Sequence, residues 1–98
     1  MKIIKNLNEI NEGLTIVDFF ANWCMPCKML SPELEKLKEK MPEIEIYKVN
    51  VDESMEIAKE FDVYSIPALF LFKDKKVISK SIGFKSVDEL MKWVEENK

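Results

Sequence analysis

Cys24 and Cys27 are the only cysteines in the sequence, set two residues apart in the run Trp23-Cys24-Met25-Pro26-Cys27-Lys28. Three kinds of chemistry suit such a pair: a structural bridge, a metal site, or cycling between dithiol and disulfide. A bridge closing so small a loop would constrain the unfolded chain by only about 2 kcal/mol on the entropic account. Tetrahedral zinc wants four ligands, and the chain offers two cysteines and no histidine, so a site would need carboxylates or a second molecule. Redox exchange needs one thiol held as thiolate and a second placed to attack the resulting mixed disulfide. A helix starting at Cys24 would supply both. Its unpaired N–H groups and positive dipole end stabilise a thiolate at Cys24, Pro26 suits an early position whose N–H lacks a partner, and Cys27 lies one turn further in, shielded.

The elements that must position this pair are legible from periodicity. Leu14 to Phe20 (LTIVDFF) is β-branched, aromatic and apolar on both sides, as a central strand covered on both faces reads. From Cys24 to Met41 the residues Cys27, Leu30, Leu34, Leu37 and Met41 recur at helical spacing with lysines and glutamates between them, and Pro32 predicts a kink. Ile44 to Val51 returns as a strand, and strand, helix, strand implies parallel neighbours joined by a crossover. A second helix is expected near Met55 to Phe61. Ala68 to Phe72 and Val77 to Ile82 are strands joined by Lys73 to Lys76, a connection that requires an antiparallel hairpin. Ser86 and Glu89 form a capping box, opening a helix with Val87, Leu90, Met91 and Val94 on one side and Trp93 at its margin. Near the start, Asn6 and Glu9 resemble a second capping pair, with Leu7 and Ile10 giving a short helix a buried face and Gly13 ending it. The result is an α/β domain spanning 1–98, with a central mixed β-sheet flanked by helices on both faces.

Composition bounds the function. The 98 residues are 47% hydrophobic and 34% charged, the profile of one globular domain. A chain of this size hides roughly two-thirds of its unfolded surface and can fold without staples. Fifteen lysines against eighteen acidic residues leave a net charge of -3, with no face that gathers positive charge, which argues against nucleic acid. Only Ile3 and Ile4 separate Lys2 from Lys5, far short of the ~7–15 apolar residues of a signal-peptide core. No apolar run approaches the ~20 residues needed to cross a bilayer. The expected compartment is the cytoplasm, where a close cysteine pair reads as catalytic or metal-binding before it reads as a bridge. Met29, Met41, Met55 and Met91 read as core or boundary fillers, and Lys73 to Lys76 and Glu95 to Lys98 as solvated.

Several separated motifs in one order resemble the thioredoxin family: VDFFANWCMPCK at 17–28, Pro32 in the helix, YKVNVD at 47–52, SIPALFLFK at 65–73 and Ile82-Gly83. The resemblance covers nearly the whole chain. It implies the thioredoxin fold, Cys24 as the attacking and Cys27 as the resolving cysteine, and Pro67 as a cis proline beside them. The backbone at Ile66 would then pair with an extended substrate peptide next to Cys24.

Asp18 lies inside an otherwise apolar strand, where a carboxylate costs several kcal/mol unless paired or protonated. Burial would raise its pKa. The resemblance implies that it accepts the proton from Cys27 as that thiol attacks, through water if need be; a strand-end Asp hydrogen-bonded to backbone is the plainer reading. Lys48, at the family's partner-lysine position, would tune Asp18 or else be solvated. Trp23, Met25, Pro26, Ile66, Pro67, Gly83 and Phe84 would form the docking surface around the cysteines, with Gly83 admitting close approach of a substrate backbone.

Two positions depart from the family pattern. Met25 stands where glycine is usual between Cys and Pro, adding a flexible apolar contact and bearing on the redox poise. No histidine occupies that dipeptide, as it commonly does in the superfamily's strong oxidants and isomerases, and this favours a reductant. Lys75 stands where the hairpin turn commonly has glycine, suggesting a different turn geometry. The implied function is a monomeric protein-disulfide reductase in electron transport and cell redox homeostasis, without bound cofactor or metal. A flavin-dependent, NADPH-linked thioredoxin reductase would recharge it, and disulfide-bearing clients would be its substrates. A binding module with idle cysteines is the alternative from another class, and it should tolerate Cys24→Ser.

Overall fold

The computed structural model describes residues Met1 to Lys98. The chain runs β1 (Lys2–Ile3), a 3-10 turn (Leu7–Glu9), β2 (Leu14–Phe20), α1 (Met25–Lys40), β3 (Glu45–Asn50), α2 (Met55–Glu60), β4 (Ala68–Lys73), β5 (Lys76–Ile82) and α3 (Val87–Asn97). One sheet of order β1-β3-β2-β4-β5 results. Strand β2 sits in the middle as its two-sided apolar sequence requires, parallel to β3 and antiparallel to β4.

Alternate residues of the strands feed two cores. Ile16, Ile46, Leu69 and Leu71 pack under α1 and α3 with Leu30, Leu34, Leu37, Leu90, Trp93 and Val94. Val17, Phe19, Tyr47, Val49, Phe70 and Phe72 face the other way, with Ala58 of α2 and with Ile4 and Ile10. That division follows from the two-residue period of a strand meeting the helical stripe of each covering helix. A third, smaller cluster of Phe20, Ala21, Cys24 and Cys27 closes the carboxyl end of β2, with Ile66 against it.

Some local expectations change. The short helix after Asn6 is of the 3-10 type and ends at Glu9, well before Gly13, with Asn6 as its N-cap: the Asn6 side chain accepts from the Asn8 N–H at 2.8 Å, and Glu9 Oε2 accepts from the Lys5 N–H at 3.2 Å. Strand β1 precedes it, two residues of backbone pairing with Tyr47 and Lys48, too short to leave a periodic signal. Trp93 is buried in the first core instead of marginal, because its indole N–H donates to Ser79 Oγ at 2.9 Å and so satisfies its one polar atom. Met29 and Met55 are exposed rather than core or boundary fillers, since each lies on the solvent side of its helix. The β4–β5 turn is only Asp74 and Lys75, with φ of 50° and 69°, the sign pattern of the tight hairpin turn that matches strand twist. Lys75 therefore adopts the left-handed backbone that glycine favours, so the substitution leaves the turn left-handed. Asp74 also fastens the turn to Gly13, accepting from the Gly13 N–H at 2.8 Å and donating its own N–H to the Gly13 carbonyl at 3.0 Å.

Candidate active site

The capping of α1 creates the reactive end of the molecule. Cys24 is the N-cap in an extended conformation, and its Sγ accepts from the Cys27 N–H at 3.2 Å. Pro26 occupies an early position where no N–H is needed. Cys27 lies in the first turn, and the helix continues through Pro32 to Lys40. Cys24 and Cys27 are joined by a disulfide, with Cα atoms 5.3 Å apart. Both are buried, while Trp23, Met25 and Pro26 around them are exposed. A sulfur at Cys24 is thus presented at a helix N-terminus, where N–H groups and dipole favour the anion.

The loop before β4 approaches from the other side. The Ile66–Pro67 peptide bond is cis, the isomer the resemblance implies. The Ile66 carbonyl oxygen lies 3.9 Å from Cys24 Sγ, and Pro67 is buried behind it. Gly83, at φ of 92°, donates its N–H to the Pro67 carbonyl at 2.8 Å, tying the end of β5 to this loop. A side chain on Gly83 would meet nothing within 4 Å, so it is the positive φ and the open face that ask for glycine there. Phe84 is exposed beside it, and Ile66 is half-buried.

Beneath the disulfide end, Asp18 of β2 and Lys48 of β3 are register partners on the sheet face that α1 covers. Asp18 is wholly buried, and neither carboxylate oxygen has a hydrogen-bond partner. The Lys48 ammonium is 3.9 Å away. Burial pushes the Asp18 pKa up from 3.8 to about 7, against the opposing pull of Lys48. Hydrogen bonding of Asp18 to backbone, the plainer expectation, does not occur. A cleft of about 170 Å³ lined by Phe20, Ala21, Asn22, Cys27, Lys28, Ser31 and Lys48 runs beside Cys27, large enough to hold water.

The fold adds five residues here to which the sequence analysis gave no role. Trp23 Nε1 donates to Asp52 Oδ2 at 2.9 Å, fixing the exposed indole, and Asn50 Oδ1 shapes the Asp52 turn by accepting the Asp52 N–H at 2.9 Å. Tyr64, at 87% exposure, and Ile82, at 50%, add apolar surface on the two segments flanking the cis-proline loop. Ser31 accepts a hydrogen bond from the Lys48 ammonium. Ser31 carried a signal in its four-residue spacing from Cys27 on one helix face, and Asn50, Asp52 and Ile82 stood within quoted motifs without a role; their contacts depend on tertiary structure.

A dithiol–disulfide pair at a helix N-terminus, beside a cis proline and over a buried carboxylate, defines a thiol–disulfide oxidoreductase. The comparisons refine the class. Residues 3–96 match the thioredoxin family model. The thioredoxin of Chlamydia trachomatis is 46% identical over 90 residues, covering 92% of this chain and 88% of that protein. The thioredoxin of Bacillus subtilis is 42% identical over 90 residues, covering 91% and 86%. Among solved structures, oxidised mitochondrial thioredoxin 3 from Saccharomyces cerevisiae superposes with a TM-score of 0.88 at 37% identity, covering 98% of this chain and 94% of that one. The chain belongs to the thioredoxin family, and its activity is that of a protein-disulfide reductase.

Proposed function

We propose that Cys24 attacks and Cys27 resolves. The Cys24 thiolate adds to one sulfur of a client disulfide, forming a mixed disulfide and expelling one client thiolate, which takes up a proton. Cys27 then attacks Cys24 Sγ, the second client sulfur leaves as thiol, and the Cys24–Cys27 disulfide remains. Two electrons pass from the protein to the client. Asp18 accepts the Cys27 proton, with water as the carrier, and Lys48 moderates the basicity of Asp18. A carboxylate with its pKa near 7 is matched to that task at neutral pH.

Trp23, Met25, Pro26, Ile66, Pro67, Gly83 and Phe84 form the surface on which an extended client segment lies, pairing with backbone at Ile66. A flavin-dependent, NADPH-linked thioredoxin reductase returns the disulfide to dithiol, and the protein acts as a monomer in the cytoplasm. No helix is long and apolar enough to cross a membrane. A solved structural neighbour with a TM-score of 0.88 and 36% identity comes from work on a yeast mitochondrial 1-Cys peroxiredoxin resolved through glutathione and thioredoxin systems. A peroxiredoxin is accordingly one client class to try.

The observation that carries these roles is the placement of Cys24 Sγ at the start of α1, 3.9 Å from the Ile66 carbonyl that would orient a client. Incubating Cys27→Ser with a disulfide-bearing protein should accumulate a mixed disulfide on Cys24, visible by non-reducing electrophoresis and mass spectrometry. Cys24→Ser should accumulate none. Free release of client by Cys27→Ser, or trapping by Cys24→Ser, would reverse the assignment.

A further inference from the structure

Buried carboxylates and ammonium groups within reach of one another ordinarily close to a charge-assisted hydrogen bond of about 2.7–2.9 Å. Asp18 and Lys48 do not. Their separation is 3.9 Å, although both Asp18 oxygens are buried without a partner. The ammonium is engaged elsewhere: it donates to Ser31 Oγ and stands 4.6 Å from the centre of the Phe20 ring. Ser31 lies one helical turn beyond Cys27, so both face the same cleft as Lys48.

We propose that Ser31 is a positioning residue whose hydroxyl holds the Lys48 ammonium at the wall of the cleft, out of hydrogen-bond contact with the Asp18 carboxylate. This rests on the role given to Asp18 above and adds the device that keeps it usable. An ammonium bonded directly to a carboxylate favours its charged form and lowers its pKa by about one to three units. Such a carboxylate would be a poor acceptor for a thiol proton. Retained at Ser31, Lys48 steadies the charge that appears on Asp18 without quenching its basicity. The ionisable groups around Asp18 are few. Strand β3 contributes Lys48, α1 contributes Cys27 and Lys28 to the shared cleft, and the facing residue on β4 is Leu69. With Ser31 Oγ removed, Asp18 Oδ2, 3.9 Å away and without a partner, is within reach of the Lys48 ammonium.

The test is a titration of the Asp18 carboxyl carbon by NMR in the oxidised protein, where the cysteines are bonded and do not titrate. Ser31→Ala should lower the Asp18 midpoint by about one unit as Lys48 closes on it. Ser31→Thr, which keeps a hydroxyl, should hold the wild-type midpoint. In a Lys48→Met background Ser31→Ala should have no effect, because the serine acts through the lysine. A midpoint that stays or rises in Ser31→Ala, or a fall that persists without Lys48, would overturn the proposal. The pH profile of the Cys27 resolving step, followed in a single turnover, separates the two readings. A profile that moves with the midpoint supports both, whereas a moved midpoint with an unmoved profile retains the Ser31 assignment and removes Asp18 as the proton acceptor.

Discussion

Alternate residues of β2 look onto two faces of one sheet that obey different rules. On the α2 face, Phe19, Phe61 and Phe70 meet edge to face or tilted with ring centroids 5.3–6.0 Å apart, the arrangement aromatic rings prefer. The buried polar residue on that side of β2 is the uncharged Thr15, whose hydroxyl has no partner. On the α1 face, Ile16 and Leu69 belong to a largely aliphatic core, yet Asp18 lies between β3 and β4 with both oxygens unsatisfied. One face buries no charge. The other tolerates a buried charge, and it is the face that α1 shares with Cys27. A buried charge without a hydrogen bond, on the face that also carries the cysteines, is the kind of departure from core packing that functional sites show.

The largest expected effect tests the packed face. Phe70→Ala, which removes a buried ring in contact with both Phe19 and Phe61, should cost about 3–5 kcal/mol in chemical denaturation. The Asp18 titration should stay in place. If that titration moves, the two faces are coupled and the division fails.

Asp18→Asn should act with the opposite sign. Because the folded pKa of about 7 exceeds the unfolded 3.8, the native state binds more protons than the unfolded chain between those values. Stability from this group is therefore full below about pH 4, declines as pH rises towards 7, and stays low above it. At pH 8 the variant should be more stable than the wild type by about 4 kcal/mol. The same substitution should slow Cys27 attack on a mixed disulfide by about a hundredfold. Denaturation of both proteins at pH 4 and pH 8 alongside a single-turnover assay would check both, and a difference between variant and wild type that is the same at the two pH values would deny the buried charge.

The smallest effect lies outside both faces. Lys75→Gly relieves a side chain held at φ of 69° and should raise stability by about 1 kcal/mol. Reductase activity should not change, and a change in activity would mean that the turn communicates with the site.

What could be read in the sequence was whatever short-range spacing encodes. The apolar run of β2, the helical recurrence from Cys27 to Leu37 and the Ser86–Glu89 capping box predict elements that the fold contains, because period and caps are local properties. The cysteine pair was legible for the same reason. Strand β1 was not, since two residues of edge pairing to β3 carry no period. Trp93 could be ranked only as marginal until β5 supplied Ser79 as a partner for its indole. The Asp52 contact to Trp23 and the apolar additions of Tyr64 and Ile82 join segments far apart in sequence. Asp18 was legible as an anomaly, a charge in an apolar strand. That Lys48 would stand beside it yet bond to Ser31 depends on register and on a helix face together.

The reduction potential of the Cys24–Cys27 couple tests the central claim most directly, measured by equilibrating the protein in glutathione buffers of graded ratio and quantifying the oxidised fraction. A value near about -270 mV, as expected of a thioredoxin and of an active-site dipeptide without histidine, is predicted despite Met25. A value of roughly -180 to -120 mV, the range of isomerases and strong oxidants, would contradict a reductant.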